Sequence, residues 1–256
     1  TGKHCVMLEN CAYGRTELAV LNMARRGVLG EPLHAEGGYL HDLRANLFSE
    51  SPQIYRLRNS VARDEILYPT HGLDPASRCI GMHHGDRFKR MVSMSTKSVC
   101  LNEYAAQKFG ADSPQAQRDY NCGDLHTSLI HTARGCTVTV RFSTHTPRPY
   151  SRAFKVQGSK GIMRKSPEQK IHIEGKSSGH AWEDFGKYRK KYDHPIWTKL
   201  QEAARGSGHG GIDFIENYRL IRAFQEGVYP DMDVYDAAAV SAVGPLSGKS
   251  ISNGNN

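Results

Sequence analysis

The sequence predicts an α+β chain, built on an open, largely antiparallel sheet flanked by helices. Alternating and β-branched segments fill the middle of the chain, and helix-like segments lie towards both ends. A glycine-turned hairpin marks the sheet locally. Residues 5–8, Cys5-Val6-Met7-Leu8, form an apolar run that reads as a buried strand. Residues 17–26 read as an amphipathic helix with Thr16 as N-cap and Gly27 as its stop. Residues 33–41 alternate as a strand, and residues 75–83 read as a short helix. Residues 88–95 form a strand, with Phe88, Arg90, Val92 and Met94 alternating against Lys89, Met91 and Ser93. Residues 127–132 and 136–143 are the hairpin arms, turned at Arg134-Gly135. A second hairpin turns at Gly158-Ser159-Lys160-Gly161, with arms at 154–157 and 162–163. Helices follow at 195–204, 214–225 and 234–243, with Asp213 and Asp233 as caps and Gly227 as a stop. No repeat, low-complexity block or linker interrupts the chain, so residues 1–256 read as a single domain.

Composition narrows the function. Hydrophobic residues make up 38% of the chain, which supports a core, and no apolar run reaches the length of a membrane span. The net charge of +8 is dispersed. Only Tyr188-Arg189-Lys190-Lys191 clusters it, and that run reads as a solvated helix face. No helix-turn-helix, zinc-finger or aromatic RNA-binding pattern accompanies it, so no nucleic-acid partner is expected. The chain opens without Met or a signal-peptide pattern and ends in a polar tail. Opening in mid-strand predicts a chain cut at both ends, and these ends leave the compartment unread.

Gly206-Ser207-Gly208-His209-Gly210-Gly211 matches G-x-G-x-x-G in letters. It follows a helix rather than a strand, so it reads as a turn and not as a dinucleotide fingerprint. The six cysteines form no C-x-x-C, no His pair has zinc spacing, and His83-His84 are adjacent. No metal is expected, and the cysteines read as buried thiols. Three polar clusters stand out. Glu9-Asn10 follows an apolar run; Tyr68-Pro69-Thr70-His71 sets a phenol three residues from an imidazole; Pro147-Arg148-Pro149-Tyr150-Ser151-Arg152 brackets a Tyr with prolines and arginines, as at a sheet edge. Tyr and His serve acid–base chemistry near neutral pH, and an aromatic, Arg and His set suits a sugar ring.

These runs resemble glycoside hydrolase family 109. The resemblance is carried by His4-Cys5-Val6-Met7-Leu8-Glu9-Asn10-Cys11, Gly37-Gly38-Tyr39-Leu40-His41-Asp42-Leu43-Arg44, Leu67-Tyr68-Pro69-Thr70-His71-Gly72-Leu73 and Pro147-Arg148-Pro149-Tyr150-Ser151-Arg152. It continues through Gly208-His209-Gly210-Gly211-Ile212-Asp213-Phe214 and Pro230-Asp231-Met232-Asp233-Val234-Tyr235-Asp236-Ala237. Departures stand at Tyr55, where the family usually has Trp, at Glu65-Ile66 and at Asp74. The family consists of NAD-dependent α-N-acetylgalactosaminidases of the Gfo/Idh/MocA superfamily.

The resemblance implies that an N-terminal Rossmann domain is missing here and that this chain is the substrate domain, inactive alone. It implies NAD as cofactor, contacted by Asn10, and an N-acetylgalactosamine-containing glycan as substrate. Tyr39, Arg56, Tyr68, Pro69, Thr70, His71 and Tyr150 would line the sugar. Among them His71 is the favoured acid–base group, with Tyr150 and Tyr68 as alternatives for proton transfer or carbonyl polarisation. The implied mechanism oxidises carbon 3, eliminates the aglycone after loss of the carbon-2 proton, adds water and reduces the ketone again. No carboxylate pair is evident in the sequence, since Glu9 and Asp42 have no visible partners. A homo-oligomer through the sheet face is expected. A sugar dehydrogenase of the same superfamily and a carbohydrate-binding module are the rival readings.

Overall fold

The computed structural model describes residues 3–49 and 54–255. Its strands are β1 (Pro32–Leu40), β2 (Phe88–Ser95), β3 (His126–Thr132), β4 (Thr137–Ser143), β5 (Lys155–Gly158), β6 (Gly161–Arg164), β7 (Lys170–Ile173) and β8 (Glu183–Asp184). They form one eight-stranded sheet in the order β2-β3-β4-β1-β5-β6-β7-β8. All neighbours are antiparallel except β1 and β4, which run parallel. The helices are α1 (Arg15–Arg25), α2 (Arg44–Leu47), α3 (Ile54–Ala62), α4 (Thr70–Arg78), α5 (Cys100–Phe109), α6 (Gly186–Tyr192), α7 (Pro195–Leu200), α8 (Ile212–Glu226) and α9 (Val234–Ser252).

The sheet alternation decides what is buried. Ile130, Val138, Val140, Phe142, Val156, Met163 and Ile171 point to the core. Their neighbours along the strands, among them Leu129, Thr139, Arg141 and Lys155, are more exposed. Helix α9 packs along β2, and the Ser93 amide donates to Ser250 Oγ at 2.9 Å. The predicted hairpins and the strands at 33–41 and 88–95 are present within a residue or two. Asp233 caps α9 through a reciprocal pair with Asp236, and Gly227 ends α8 in the left-handed region.

Other expectations are corrected. Residues 5–8 are not a strand; one bridge joins Val6 to Asp233. Thr16 does not cap α1: Gly14 stands at the cap, and Thr16 is buried inside the helix, donating to Gln169. Helix α4 starts at Thr70 and carries Pro75 inside, because Thr70 to Asp74 already form the first turns ahead of the proline. His83 lies beyond it with φ of 56°, and the helix predicted to 204 ends at Leu200. Asp213 is not the cap of α8, since Gly211 is, and its carboxylate serves Asn10 instead. The 147–152 segment is not a sheet edge. It follows a central strand and crosses the end of β1, where Leu40 and Ser151 exchange both backbone hydrogen bonds. Helices α2, α3 and α5 and strands β7 and β8 carry no expectation from the sequence.

One contact positions the rest. Strand β1 and helix α4 touch backbone to backbone at Gly37, Gly38 and Gly72. A Cβ on Gly37 would overlap the Gly72 carbonyl, and a Cβ on Gly72 would overlap the Gly38 amide. Only glycine permits that approach. Gly72→Ala should therefore destabilise the chain by about 1–3 kcal/mol or more, as overpacking does. Thermal unfolding measures it; an unchanged Tm would contradict the contact.

Candidate active site

The parallel pair β1 and β4 delivers its ends to the same place, and there the three polar clusters meet. Tyr39, near the end of β1, is buried at the centre. Its ring centroid lies 4.9 Å from Tyr68, 5.6 Å from His71 and 6.2 Å from Tyr150. Pro69 occupies the cap position of α4, and Thr70 and His71 begin the helix. Arg56, on α3, sets its guanidinium 5.3 Å from the Tyr68 ring centroid. Tyr150 is 51% exposed and is the most solvent-facing ring of the group. Its segment is tied down by Arg152, whose Nη2 lies 3.1 Å from the buried Glu17 carboxylate, which Lys165 also binds at 2.6 Å.

Sequence reasoning missed the partner of His71. Glu9 is buried, and both its oxygens lie close to His71 Nδ1, at 2.7 and 2.9 Å. Its Oε1 also accepts the Cys11 amide at 3.0 Å. Asp42 in turn binds Arg44, so each of these two acids is held by a basic side chain. Burial alone would raise the Glu9 carboxyl, but hydrogen bonds and charge from His71, with help from Thr70 and Cys11, hold it below its ordinary range. An ionised Glu9 accepts a hydrogen bond from Nδ1–H, which leaves Nε2 as the imidazole's acceptor, facing the Tyr68 hydroxyl. Tyr68 Oη stands 3.4 Å from that Nε2. His41 also joins the site unforeseen, its ring 5.0 Å from Tyr150.

The phenols have a different character. Burial, with the Glu9 charge, pushes Tyr68 up to about 12 against the opposing pull of Arg56. Burial pushes Tyr150 up to about 12 despite Arg152. Both stay protonated near neutral pH, so they donate hydrogen bonds rather than take protons.

Asn10 begins a short 3₁₀ turn, Asn10–Tyr13, beside Glu9. Its Nδ2 donates to Asp213 at 2.8 Å and lies 3.4 Å from His209 Nδ1. Its Oδ1 is buried without a partner among the described residues. His209, from the glycine-rich turn, pairs with Asp213 at 2.7 Å. Glu9, Cys11 and His71 also offer ligand atoms within 4.8 Å of one another, as do Asp64, Cys122 and His126. Burial pushes the Cys11 and Cys122 thiols up to about 12, which disfavours the thiolates a metal would need. Cys5 is exposed, contrary to the expectation of buried thiols.

The fold is one shared with solved oxidoreductase structures. The chain aligns with a levoglucosan dehydrogenase in complex with NADH and levoglucosan at TM-score 0.64 and 18% identity, covering 95% of this chain and 63% of that one. An inositol dehydrogenase homologue complexed with NAD⁺ from Azotobacter vinelandii aligns at TM-score 0.62 and 18% identity, covering 98% and 64%. With that fold, the chain belongs to glycosyl hydrolase family 109, whose C-terminal domain model matches residues 13–256. A glycosyl hydrolase family 109 protein of Solibacter usitatus is 44% identical over 99% of this chain and 58% of its own length. An alpha-N-acetylgalactosaminidase of Tannerella forsythia is 39% identical over 99% of this chain and 58% of its own length. The chain thus spans under two thirds of the length of these relatives.

Glu216 gives this region a pH signature. Burial, then the charges of Glu9 and Asp213, raises its carboxyl to about 7 from 4.5. A raised carboxyl costs stability as pH climbs through that window, because the folded state holds the proton longer. Glu216→Gln should raise Tm at about pH 8 and change it little at about pH 4.5. An equal shift at both pH values would contradict this environment.

Proposed function

We propose that this chain is the substrate-side portion of an NAD-dependent glycosidase that removes terminal α-N-acetylgalactosamine. The observation that carries the proposal is the Glu9–His71 pair, which faces Tyr39, Tyr68 and Tyr150 with Arg56 alongside. It supplies a base and hydrogen-bond donors around a sugar-sized ring of aromatics. A classical glycosidase instead sets two carboxylates about 5–10 Å apart across the scissile bond. Here Glu9 is committed to an imidazole and an amide.

Asn10 fits a dinucleotide contact, because its buried Oδ1 lacks a partner while its Nδ2 is held by Asp213. When bound, NAD would supply reversible hydride transfer at carbon 3 of the sugar. His71 Nε2 would hold the proton of the neighbouring carbon 2, with the Glu9 carboxylate stabilising the imidazolium. Tyr68 and Tyr150 would donate hydrogen bonds to sugar oxygens, with Arg56 against Tyr68. The Tyr39 ring would support the sugar from below. The isolated chain would bind sugar without turnover, since among the described residues the glycine-rich turn at 206–211 follows a helix, not the strand that a dinucleotide's pyrophosphate site requires. The uncovered sheet face, where Val92, Met94 and Leu129 stand exposed on neighbouring strands, is where a second copy would pair.

The test uses a protein that joins this chain to a dinucleotide-binding domain, with an α-N-acetylgalactosaminide and NAD. Aglycone release without net NADH is expected. Net NADH would make it a dehydrogenase, and binding with neither would make it a carbohydrate-binding module. His71→Ala should lower turnover about 10²–10⁴-fold. Tyr150→Phe should lower it less and leave Tm unchanged; unaltered turnover in both variants would remove these residues from the site.

A further inference from the structure

Beside Tyr150, the face of the sheet opposite the helices holds a basic cavity of about 490 Å³. Strand register gathers its charges. Glu36 on β1 pairs with Lys155 on β5, and Lys155 with Arg164 on β6. Arg141 on β4 lies opposite Gly38, which offers no side chain to fill the space. Arg148 joins from the segment that follows β4. Four cations therefore line the cavity with one carboxylate. Glu36 binds Lys155 and lies 3.7 Å from Arg141. The Nε atoms of Arg141 and Arg164 are buried without a hydrogen-bond partner among the described residues, the Arg164 guanidinium resting 4.7 Å from the Trp182 ring centroid. Burial and the nearby Arg141 charge press the Arg148 guanidinium below its ordinary range. Four cations share one carboxylate here, and orphaned guanidinium donors call for an acceptor.

Tyr150 belongs to both places. Its ring meets Tyr39 and His41 in the candidate active site, and it also walls the cavity. A group in the cavity is thus next to whatever the sugar site holds. We propose that this cavity binds an oxyanion, a sulfate or carboxylate, carried by the part of the glycan beyond the terminal N-acetylgalactosamine. The proposal rests on the sugar-site reading above and deepens it: the substrates are acidic glycans. Arginine forks match the paired oxygens of either anion. The cavity spans β4 to β6, apart from the apolar stretch on β2 and β3.

The test is calorimetry on the 256-residue chain with three probes. They are an α-N-acetylgalactosaminyl-galactose disaccharide, the same disaccharide sulfated on galactose, and inorganic sulfate. The sulfated disaccharide should bind about tenfold or more tightly than the neutral one, as hydrogen bonds to a charged group contribute. Arg148→Gln and Arg164→Gln should each reduce that advantage and leave the neutral disaccharide unchanged, with circular dichroism showing that both fold. Arg148→Lys should keep part of it. Equal binding of the two disaccharides would overturn the proposal and leave the sugar site standing. Inorganic sulfate bound in an Arg148-dependent way, with no gain for the sulfated sugar, would make the cavity a free-anion site and also overturn it. Failure of both disaccharides to bind would overturn the sugar-site reading and this proposal together.

Discussion

The approach of β1 to α4 is the constraint on which the site depends. Gly37 on the strand and Gly72 on the helix lack the side chains that would separate the two, and Gly72 lies against the Gly38 backbone. The backbones then touch, and the residues that flank the contact are forced together. Tyr39 follows Gly38 on the strand, and His71 precedes Gly72 on the helix. Their rings meet at 5.6 Å because the glycines beside them meet first. A bulkier residue at Gly37 or Gly72 would push Tyr68 and His71 away from Tyr39.

Burial then sorts the site by proton affinity. A carboxylate as enclosed as Glu9 would ordinarily take up a proton. The imidazole against it reverses that, so the charge stays on Glu9 and the tautomer of His71 is set. The same burial drives the phenols the other way, to about 12 for both Tyr68 and Tyr150. One environment thus places a proton acceptor beside phenols that stay protonated. The thiol of Cys11, beside Glu9, is silenced by the same loss of solvent.

What was legible in the sequence was local. The 127–143 hairpin, the Asp233 cap and the Gly227 stop depend on neighbours a few residues away, and each is where propensity places it. The three polar clusters were visible because Tyr, His and Asn sat beside apolar or proline-rigid backbone. Their convergence was not visible, since Glu9 and His71 are 62 positions apart and Asn10 and Asp213 are 203 apart. Asp213 looked like a helix cap for a good reason: it sits at a helix start. The tertiary partner Asn10 outcompeted the backbone for its carboxylate. Thr16 failed as a cap because the helix begins two residues earlier than position 17, at Arg15, after Gly14. The run at 5–8 was apolar enough for a strand, but only Val6 finds a pairing partner outside the named strands.

The central claim is that His71, backed by Glu9, handles the proton next to an oxidised sugar carbon, in place of a carboxylate pair. The most direct measurement is turnover in D₂O by the chain joined to a dinucleotide-binding domain, with mass spectrometry or proton NMR of the released sugar. The account predicts deuterium at carbon 2 and retained hydrogen at carbon 3. Unlabelled carbon 2, together with full activity after NAD is stripped from the protein, would contradict it.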